Sequence, residues 1–124
     1  MKDPTSPVCR TISTLLARIG DKWTVLVVQT LGEGPRRFNE LRREIPSVSQ
    51  RMLTLTLRNL ERDGLVNRTV TPSIPPRVDY ELTELGQSLL TPILGLANWA
   101  LANVEEIHEA QARFDAERDE SIAA

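Results

Sequence analysis

The sequence predicts a mainly α-helical fold with a small β-hairpin, arranged as a winged helix-turn-helix with terminal helices. Three observations carry this prediction. An amphipathic helix follows a short turn at residues 46–49, two segments of alternating polarity come next, and the C-terminal third repeats apolar residues at heptad spacing. At 124 residues the chain has room for one sizeable core, so residues 1–124 are predicted to form a single domain.

The first three helices are predicted from apolar periodicity and capping residues. Apolar residues share one face over residues 11–19. Asp21 can cap a second helix over residues 22–31, although the run WTVLVV alone would also fit a strand. A third, short helix over residues 38–45 ends before Pro46.

The fourth helix carries the clearest pattern in the chain. Ser49 is a favourable N-cap, and Gly64 provides the residue that often follows the last turn of a helix. Leu53, Leu57 and Leu60 fall on one face, which predicts that this face packs on the core.

A hairpin is predicted directly after the fourth helix. Polarity alternates over residues 65–71 and again over residues 77–82, which is strand periodicity. The proline-rich loop PSIPP at 72–76 cannot continue a ladder and therefore joins two strands. Residues 11–82 are thus the predicted winged helix-turn-helix core.

The outer face of the fourth helix has an unusual composition. It carries no acid, and its members are Arg51, Thr54, Leu55, Arg58 and Arg62. Arginine can pair bidentately with guanine, and apolar groups can touch the thymine methyl, so this face suits the major groove of duplex DNA. The alternative is an ordinary solvated face whose arginines occur there by chance.

Charge along the chain supports the DNA interpretation more than the net charge of −2 does. Residues 36–77 contain nine arginines and four acids, whereas residues 79–124 contain ten acids and two arginines. Screening limits the influence of each charge to about 10 Å, so the local balance decides what each part can bind. The basic middle is compatible with DNA binding and the acidic end with another role.

The C-terminal part predicts an interface between two chains. Apolar and small residues recur at spacings of three and four, namely Leu90, Ile93, Ala97, Ala100, Val104 and Ile107. Flanking leucines and Trp99 make the stripe broader than one small domain can cover, although a helix packed only on its own domain is the alternative. Thr91 and Pro92 suggest a helix restart. Residues 1–19 and 83–112 are the predicted dimerisation helices, and residues 113–124 are a predicted flexible tail.

Several classes of function are unsupported by the sequence. No apolar run is long enough to span a membrane, and the N-terminus lacks a signal-peptide pattern, so a cytoplasmic protein without a membrane partner is expected. The lone Cys9 cannot form an internal disulfide, and no metal-ligand spacing occurs. No base lies beside Cys9 in sequence, and no glycine-rich phosphate loop is present, so neither catalytic residues nor a cofactor is predicted.

Four segments of the chain resemble the HxlR-type transcriptional regulators, a winged-helix group related to the MarR regulators. They are CRTISTLLARIGDKWTVLVVQTL, GPRRFNELRREIP, SQRMLTLTLRNLERDGLVNRTV and PPRVDYELTELGQSL, which together cover about residues 8 to 105. The resemblance implies a homodimer, joined through terminal helices, that binds a pseudo-palindromic operator; repression is the expected outcome. One departure is Arg10, which follows the cysteine where many members have proline.

The expected DNA contacts follow from the positions of the basic residues. Arg51, Thr54 and Arg58 are expected to face the major groove, with Leu55 at a thymine methyl and Ser49 and Gln50 at the helix start. Arg36 and Arg37 are expected to clamp phosphates from the third helix. Arg68 and Arg77 flank the wing and either reach the minor groove or pair with Asp79 or Glu81 on the strand surface.

Cys9 is the candidate sensor residue. It is placed just before the first helix and beside Arg10, and both a helix N-terminus and a neighbouring cation favour the reactive thiolate form. The resemblance adds that some members respond to oxidants, quinones or aldehydes through a cysteine in this region, which makes a small electrophile or oxidant the expected effector. A half-buried packing cysteine is the alternative.

One further interpretation of the whole chain stays open. Winged helices also serve as protein-interaction modules without DNA contacts, because a fold does not fix a function. The acid-free face of the fourth helix argues against this alternative, since a protein-binding surface has no need to exclude acids.

Overall fold

A computed structural model describes residues 5–123 of the chain. In chain order the elements are α1 (Pro7–Ile19), α2 (Lys22–Gly32), β1 (Arg36–Arg37), α3 (Phe38–Glu44), α4 (Gln50–Arg62), β2 (Val66–Thr71), β3 (Arg77–Leu82) and α5 (Glu84–Ala123). The protein is mainly helical with a small antiparallel sheet, which confirms the predicted fold class. The chain forms two compact units, one up to Ile93 and the other from Leu94 on.

Helix α1 begins four residues earlier than its apolar pattern predicted. The Ser6 hydroxyl accepts a hydrogen bond from the Cys9 backbone N–H at 3.1 Å, and Pro7 occupies the first helical turn. Proline is favourable there because its missing N–H would have no partner within the helix. The prediction that Cys9 precedes the helix was therefore wrong: Cys9 lies in its first turn.

Residues of α2, α3 and α4 form most of the core of the first unit. Asp21 caps α2 by accepting from the Thr24 backbone N–H at 3.1 Å, so the WTVLVV run is helical. The buried apolar residues are Val27, Val28, Leu31, Leu41, Ile45, Val48, Leu53, Leu57, Leu60, Val66, Leu82 and Ile93. Because α3 and α4 share this core across a five-residue turn, they form the helix-turn-helix.

The sheet has one strand more than the predicted hairpin. Its order is β1-β3-β2, with β2 and β3 paired from Val66 opposite Leu82 to Thr71 opposite Arg77. In the added strand, Arg36 pairs with Tyr80 and Arg37 with Asp79. A strand of two residues is too short to show alternating polarity. Its partners lie more than 40 residues away in the sequence, so no local pattern predicted this strand.

Helix α5 differs from its prediction at two places. Thr83 caps it by accepting from the Gly86 backbone N–H at 3.1 Å, as expected, but the helix continues through Pro92 without a restart. An interior proline costs about 3 kcal/mol. The turn stays helical because Leu89, Leu90 and Ile93, on both sides of the proline, pack in the core of the first unit.

The C-terminal end of α5 is also longer than expected. Residues 113–124 were predicted to be a flexible tail, whereas α5 runs to Ala123 and residue 124 lies outside the described residues. Residues 1–4 of the predicted dimerisation segment 1–19 also lie outside the described residues. Within residues 5–123, no helix combines the length and hydropathy needed to cross a membrane.

Candidate nucleic-acid interface

Helix α4 presents a free face because its other face is fixed in the core. The Ser49 hydroxyl accepts from the Met52 backbone N–H at 3.0 Å, which starts the helix at the predicted cap. Leu53, Leu57 and Leu60 are buried, which confirms that this face packs inward. Gly64, at a φ of 76°, ends the helix in the left-handed conformation that glycine adopts easily.

The outward side chains of α4 combine basic and apolar groups. Gln50, Arg51 and Arg58 are exposed, and Leu55 is 51% exposed. The Thr54 hydroxyl donates to the Gln50 carbonyl at 2.8 Å, so its hydrogen is used within the helix. Arginine donors on either side of an exposed leucine form the surface that base edges of the major groove can meet.

Ion pairing divides the arginines of residues 36–77 into two groups. Two of the nine have carboxylate partners: Arg36 and Arg77. The other seven have no carboxylate partner among the described residues, and they are Arg37, Arg42, Arg43, Arg51, Arg58, Arg62 and Arg68. The uncompensated positive charge therefore lies on α3, α4 and the wing, which is the hairpin of β2 and β3.

The structure corrects the expectation for Arg36 as a phosphate clamp. Its side chain is only 17% exposed, and its guanidinium donates to Glu44 at 2.7 Å and to Glu33 at 3.3 Å. It also donates to the carbonyl of Gly34 at 2.9 Å. The hydrogen bond that Arg36 donates to Glu44 raises the pKa of Arg36, and desolvation only partly opposes this. Arg36 ties α3 to the preceding turn, whereas Arg37 is exposed.

The two wing arginines behave differently. Arg77 donates to Asp79 on its own strand at 3.0 Å, as in the alternative that a wing arginine pairs with an acid of the strand surface. Its side chain nevertheless stays half exposed. Arg68 has no carboxylate partner among the described residues and stands opposite Tyr80 in the sheet. Arg68 and Arg58 line one groove of about 380 Å³ between α4 and the wing.

Cys9 and the heptad residues differ in how far they are buried. The Cys9 side chain is half-buried and forms no disulfide. In the first unit, Ile93 is 2% exposed and packs in the core of its own chain, so its predicted place in an interface between chains was wrong. In the second unit the remaining heptad residues are half-buried or exposed, and Trp99 is 59% exposed.

Sequence reasoning missed two features of this region. Arg42 and Arg43 on α3 are exposed and have no carboxylate partner among the described residues, although the run PRRFNELRREIP already showed them in the basic segment. Arg18 forms an ion pair with Asp63, which links the end of α1 to the C-cap of α4. Nothing local signals that pair, because its partners are 45 residues apart.

Known proteins match the chain over the same region. The model of a family described as HxlR-like helix-turn-helix matches residues 18–108. An HTH-type transcriptional regulator of Bacillus subtilis, YdeP, is 42% identical over 106 residues, which are 86% of this chain and 83% of that protein. Among solved structures, the redox regulator HypR in its reduced form is 41% identical with a TM-score of 0.74, covering 80% of this chain and 98% of that one. Diamide-treated YodB from B. subtilis is 35% identical with a TM-score of 0.66, covering 77% and 94%.

Proposed function

The chain belongs to the HxlR-like helix-turn-helix family of transcriptional regulators, and we propose that it binds a pseudo-palindromic DNA operator as a homodimer and represses transcription. The observation that carries this proposal is the free face of α4. Its arginines have no carboxylate partner among the described residues, so phosphates and base edges are their available partners.

Base recognition is assigned to α4. Arg51 and Arg58 can each pair with the O6 and N7 atoms of a guanine, and the exposed Leu55 can touch a thymine methyl. Because the Thr54 hydroxyl hydrogen is used within the helix, Thr54 offers its methyl group and an acceptor. Ser49 and Gln50, at the start of the helix, can reach a base or a phosphate, and Arg68 and Arg77 can reach the backbone from the wing.

The homodimer is proposed from the second unit. Apolar side chains exposed there include Leu94, Leu96, Trp99, Leu101, Val104 and Ile107. Monomeric proteins rarely expose this many large apolar side chains along one helical segment. With Ile93 in the core, we assign Ala97, Ala100, Val104 and Ile107 to the interface, with Leu90 at its edge. Two copies would place two α4 helices about 34 Å apart, in successive major grooves, and exclude other proteins from that duplex.

We expect the Arg58→Ala change to reduce affinity for the cognate duplex by about 1–3 kcal/mol and to relax the preference at one base pair. Arg113→Ala, at an exposed position of α5, is the matched control and should leave affinity unchanged. Fluorescence anisotropy with the cognate duplex and with duplexes changed at one base pair measures affinity and preference. Repeating the titrations over a salt series measures the salt dependence of binding. Unchanged affinity and selectivity for Arg58→Ala would refute the assignment of α4. Salt-independent binding by the wild type, or none, would favour a protein-interaction module.

Redox regulation through Cys9 is proposed as the second part of the function. HypR is named a redox regulator, and YodB is described after diamide treatment and in a reduced form. Cys9 is the only thiol of this chain, so sensing has to use an adduct, an oxidised sulfur, or a bond to Cys9 of a second copy. The last route requires the two α-carbons within about 7 Å of each other.

A gel-shift titration with a mild oxidant or a quinone tests this proposal. We expect operator binding by the wild type to weaken, and binding by Cys9→Ser to be unaffected. Equal loss in both proteins would assign the effect to another group, such as Met52 in α4. No loss in either would make Cys9 a packing residue.

A further inference from the structure

Arg18 and Asp63 form an ion pair that joins α1 to α4 within the first unit. Arg18 lies in the last turn of α1, and Asp63 is the C-cap residue of α4. Their side chains are 21% and 18% exposed, so water and salt screen the pair only partly. The pair therefore ties together two helices whose joined residues are 45 positions apart in the sequence.

The acid at position 63 does not serve the end of α4 itself. The C-terminal end of a helix carries partial negative charge, so a carboxylate is unfavourable there. The backbone N–H of Asp63 donates to the Asn59 carbonyl at 3.0 Å, an interaction that any residue except proline can make. Arg18 is the partner of the Asp63 carboxylate among the described residues, so the ion pair is what an acid adds at this position.

Helix α1 has few other ties to the core. None of its 13 residues, all of which the structure describes, is fully buried, and Ile19 at its end packs against the core. A cavity of about 370 Å³ lies beside the ion pair, and its apolar lining includes Leu15, Ile19, Leu65 and Leu89. Apolar packing between α1 and the start of the wing is thus incomplete. The ion pair is the directional contact that holds α1 against the end of α4.

We propose that the Arg18–Asp63 pair sets the direction of α4 relative to α1 and thereby determines which half-site spacing the dimer accepts. This proposal rests on the proposed function. The exposed Val8, Leu15 and Leu16 give α1 an apolar surface for a second copy in the proposed homodimer. With α1 held by the second copy and α4 held by DNA, the pair between them aligns the two contacts. Both members are positioning residues, since neither belongs to the face of α4 assigned to the duplex.

A small change in this alignment is large on the scale of DNA. Two α4 helices about 34 Å apart each lie about 17 Å from the two-fold axis of the proposed dimer. A rotation of about 10° at that radius moves a helix by about 3 Å, close to the rise of about 3.4 Å per base pair. Ion pairs removed from water contribute little net stability but can select one geometry over another, which is the role assigned here.

Anisotropy titrations of the full-length protein with a spacing series test this role. The duplexes carry two inverted copies of the selected half-site, with centres about 8 to 12 base pairs apart, and one further duplex carries a single copy. We expect the wild type to prefer one spacing over the next by about tenfold, because a duplex of the wrong spacing has to be deformed to fit. Asp63→Asn and Arg18→Gln should each reduce this preference to about threefold or less, because α4 can then adjust to the duplex. Affinity for the single half-site should stay within about twofold of the wild type, which also shows that each variant is folded.

Glu61→Gln is the matched control for the loss of one carboxylate at the end of α4. Glu61 lies in the last turn of the helix, is exposed and forms no ion pair among the described residues, so this variant should keep the wild-type spacing preference. The double variant with Arg18→Gln and Asp63→Asn should lose no more preference than either change alone, because both remove the same contact. A merely structural role predicts that all spacings weaken equally and that the preference is unchanged.

The spacing series separates failure of this proposal from failure of the proposed function. If the wild type prefers one spacing but the single variants keep that preference, or the losses add in the double variant, the pair does not set the spacing and the proposed function stands. If the wild type binds every spacing and the single half-site equally well, the proposed dimeric binding of an operator is itself wrong.

Discussion

Changing Ala100 to Glu is expected to convert the proposed dimer to monomer and to reduce affinity for the proposed operator about 100-fold. Ala100 is exposed in the second unit and lies in the apolar stripe that we assign to contact with a second copy of the chain. Each copy of the dimer would then bury a carboxylate without a partner, which is strongly unfavourable. Without the dimer the two half-sites are bound separately, and the gain from linking them, about 10² or more, is lost.

Ala102→Glu is the matched control for this change. Ala102 is also exposed in α5, but it lies outside the heptad positions, so the same charge should remain in water and leave the dimer intact. Sedimentation velocity gives the mass of each variant, and anisotropy gives its operator affinity. A monomeric wild type at micromolar concentration, or a dimeric Ala100→Glu, would refute the assigned interface.

Changing Gly86 to Ala is expected to destabilise the fold by about 3 kcal/mol or more. A β-carbon at Gly86 would lie 2.1 Å from the Leu65 carbonyl oxygen and 3.1 Å from a Leu82 methyl carbon. That carbonyl cannot move freely, because it accepts from the Thr83 backbone N–H at 3.0 Å. The start of the wing and the start of α5 would have to separate, which would lower the melting temperature by roughly 10 °C.

Gly95→Ala provides the opposite result in the same helix. Apart from the adjoining backbone of α5, no atom of the described residues lies within 4 Å of a β-carbon placed there. Alanine favours a helix over glycine by about 1 kcal/mol, so this variant should be slightly more stable. Circular dichroism melts at one protein concentration measure both changes, because the midpoint of a protein that dimerises depends on concentration. A Gly86→Ala variant as stable as the wild type would contradict the close packing of α5 on the wing.

Local patterns were sufficient for α4. Its cap at Ser49, its buried leucines and its glycine stop are all defined within 16 residues of sequence, and the structure contains each of them. The exposed face followed from the same periodicity, because fixing the leucines inward leaves Arg51 and Arg58 outward.

Features that depend on distant partners were not predictable in this way. Arg36 was expected to contact phosphate, but it pairs with Glu33 and Glu44, which approach it from the flanking elements. The sequence alone does not give the distances from Arg36 to these two carboxylates. The pairing of β1 with β3 joins residues more than 40 positions apart. Proline inside a helix is unfavourable, so the sequence pattern suggested a break at Pro92. Helix α5 continues through Pro92 because core packing on either side outweighs this cost.

The heptad pattern shows why periodicity alone cannot distinguish core from interface. Ile93 and Ala100 both occupy heptad positions, yet Ile93 is buried in its own chain whereas Ala100 is exposed. Both environments select apolar residues, so only the packing of the first unit separates them.

Selection of bound sequences from random duplexes of about 40 base pairs tests the central claim most directly, since it asks for sequence preference and symmetry at once. A homodimer that reads DNA through α4 predicts enrichment of two inverted half-sites whose centres lie about 10 base pairs, or one helical turn, apart. Recovery of duplexes with no common sequence, or with one unpaired half-site, would contradict this account of a dimeric, sequence-specific regulator.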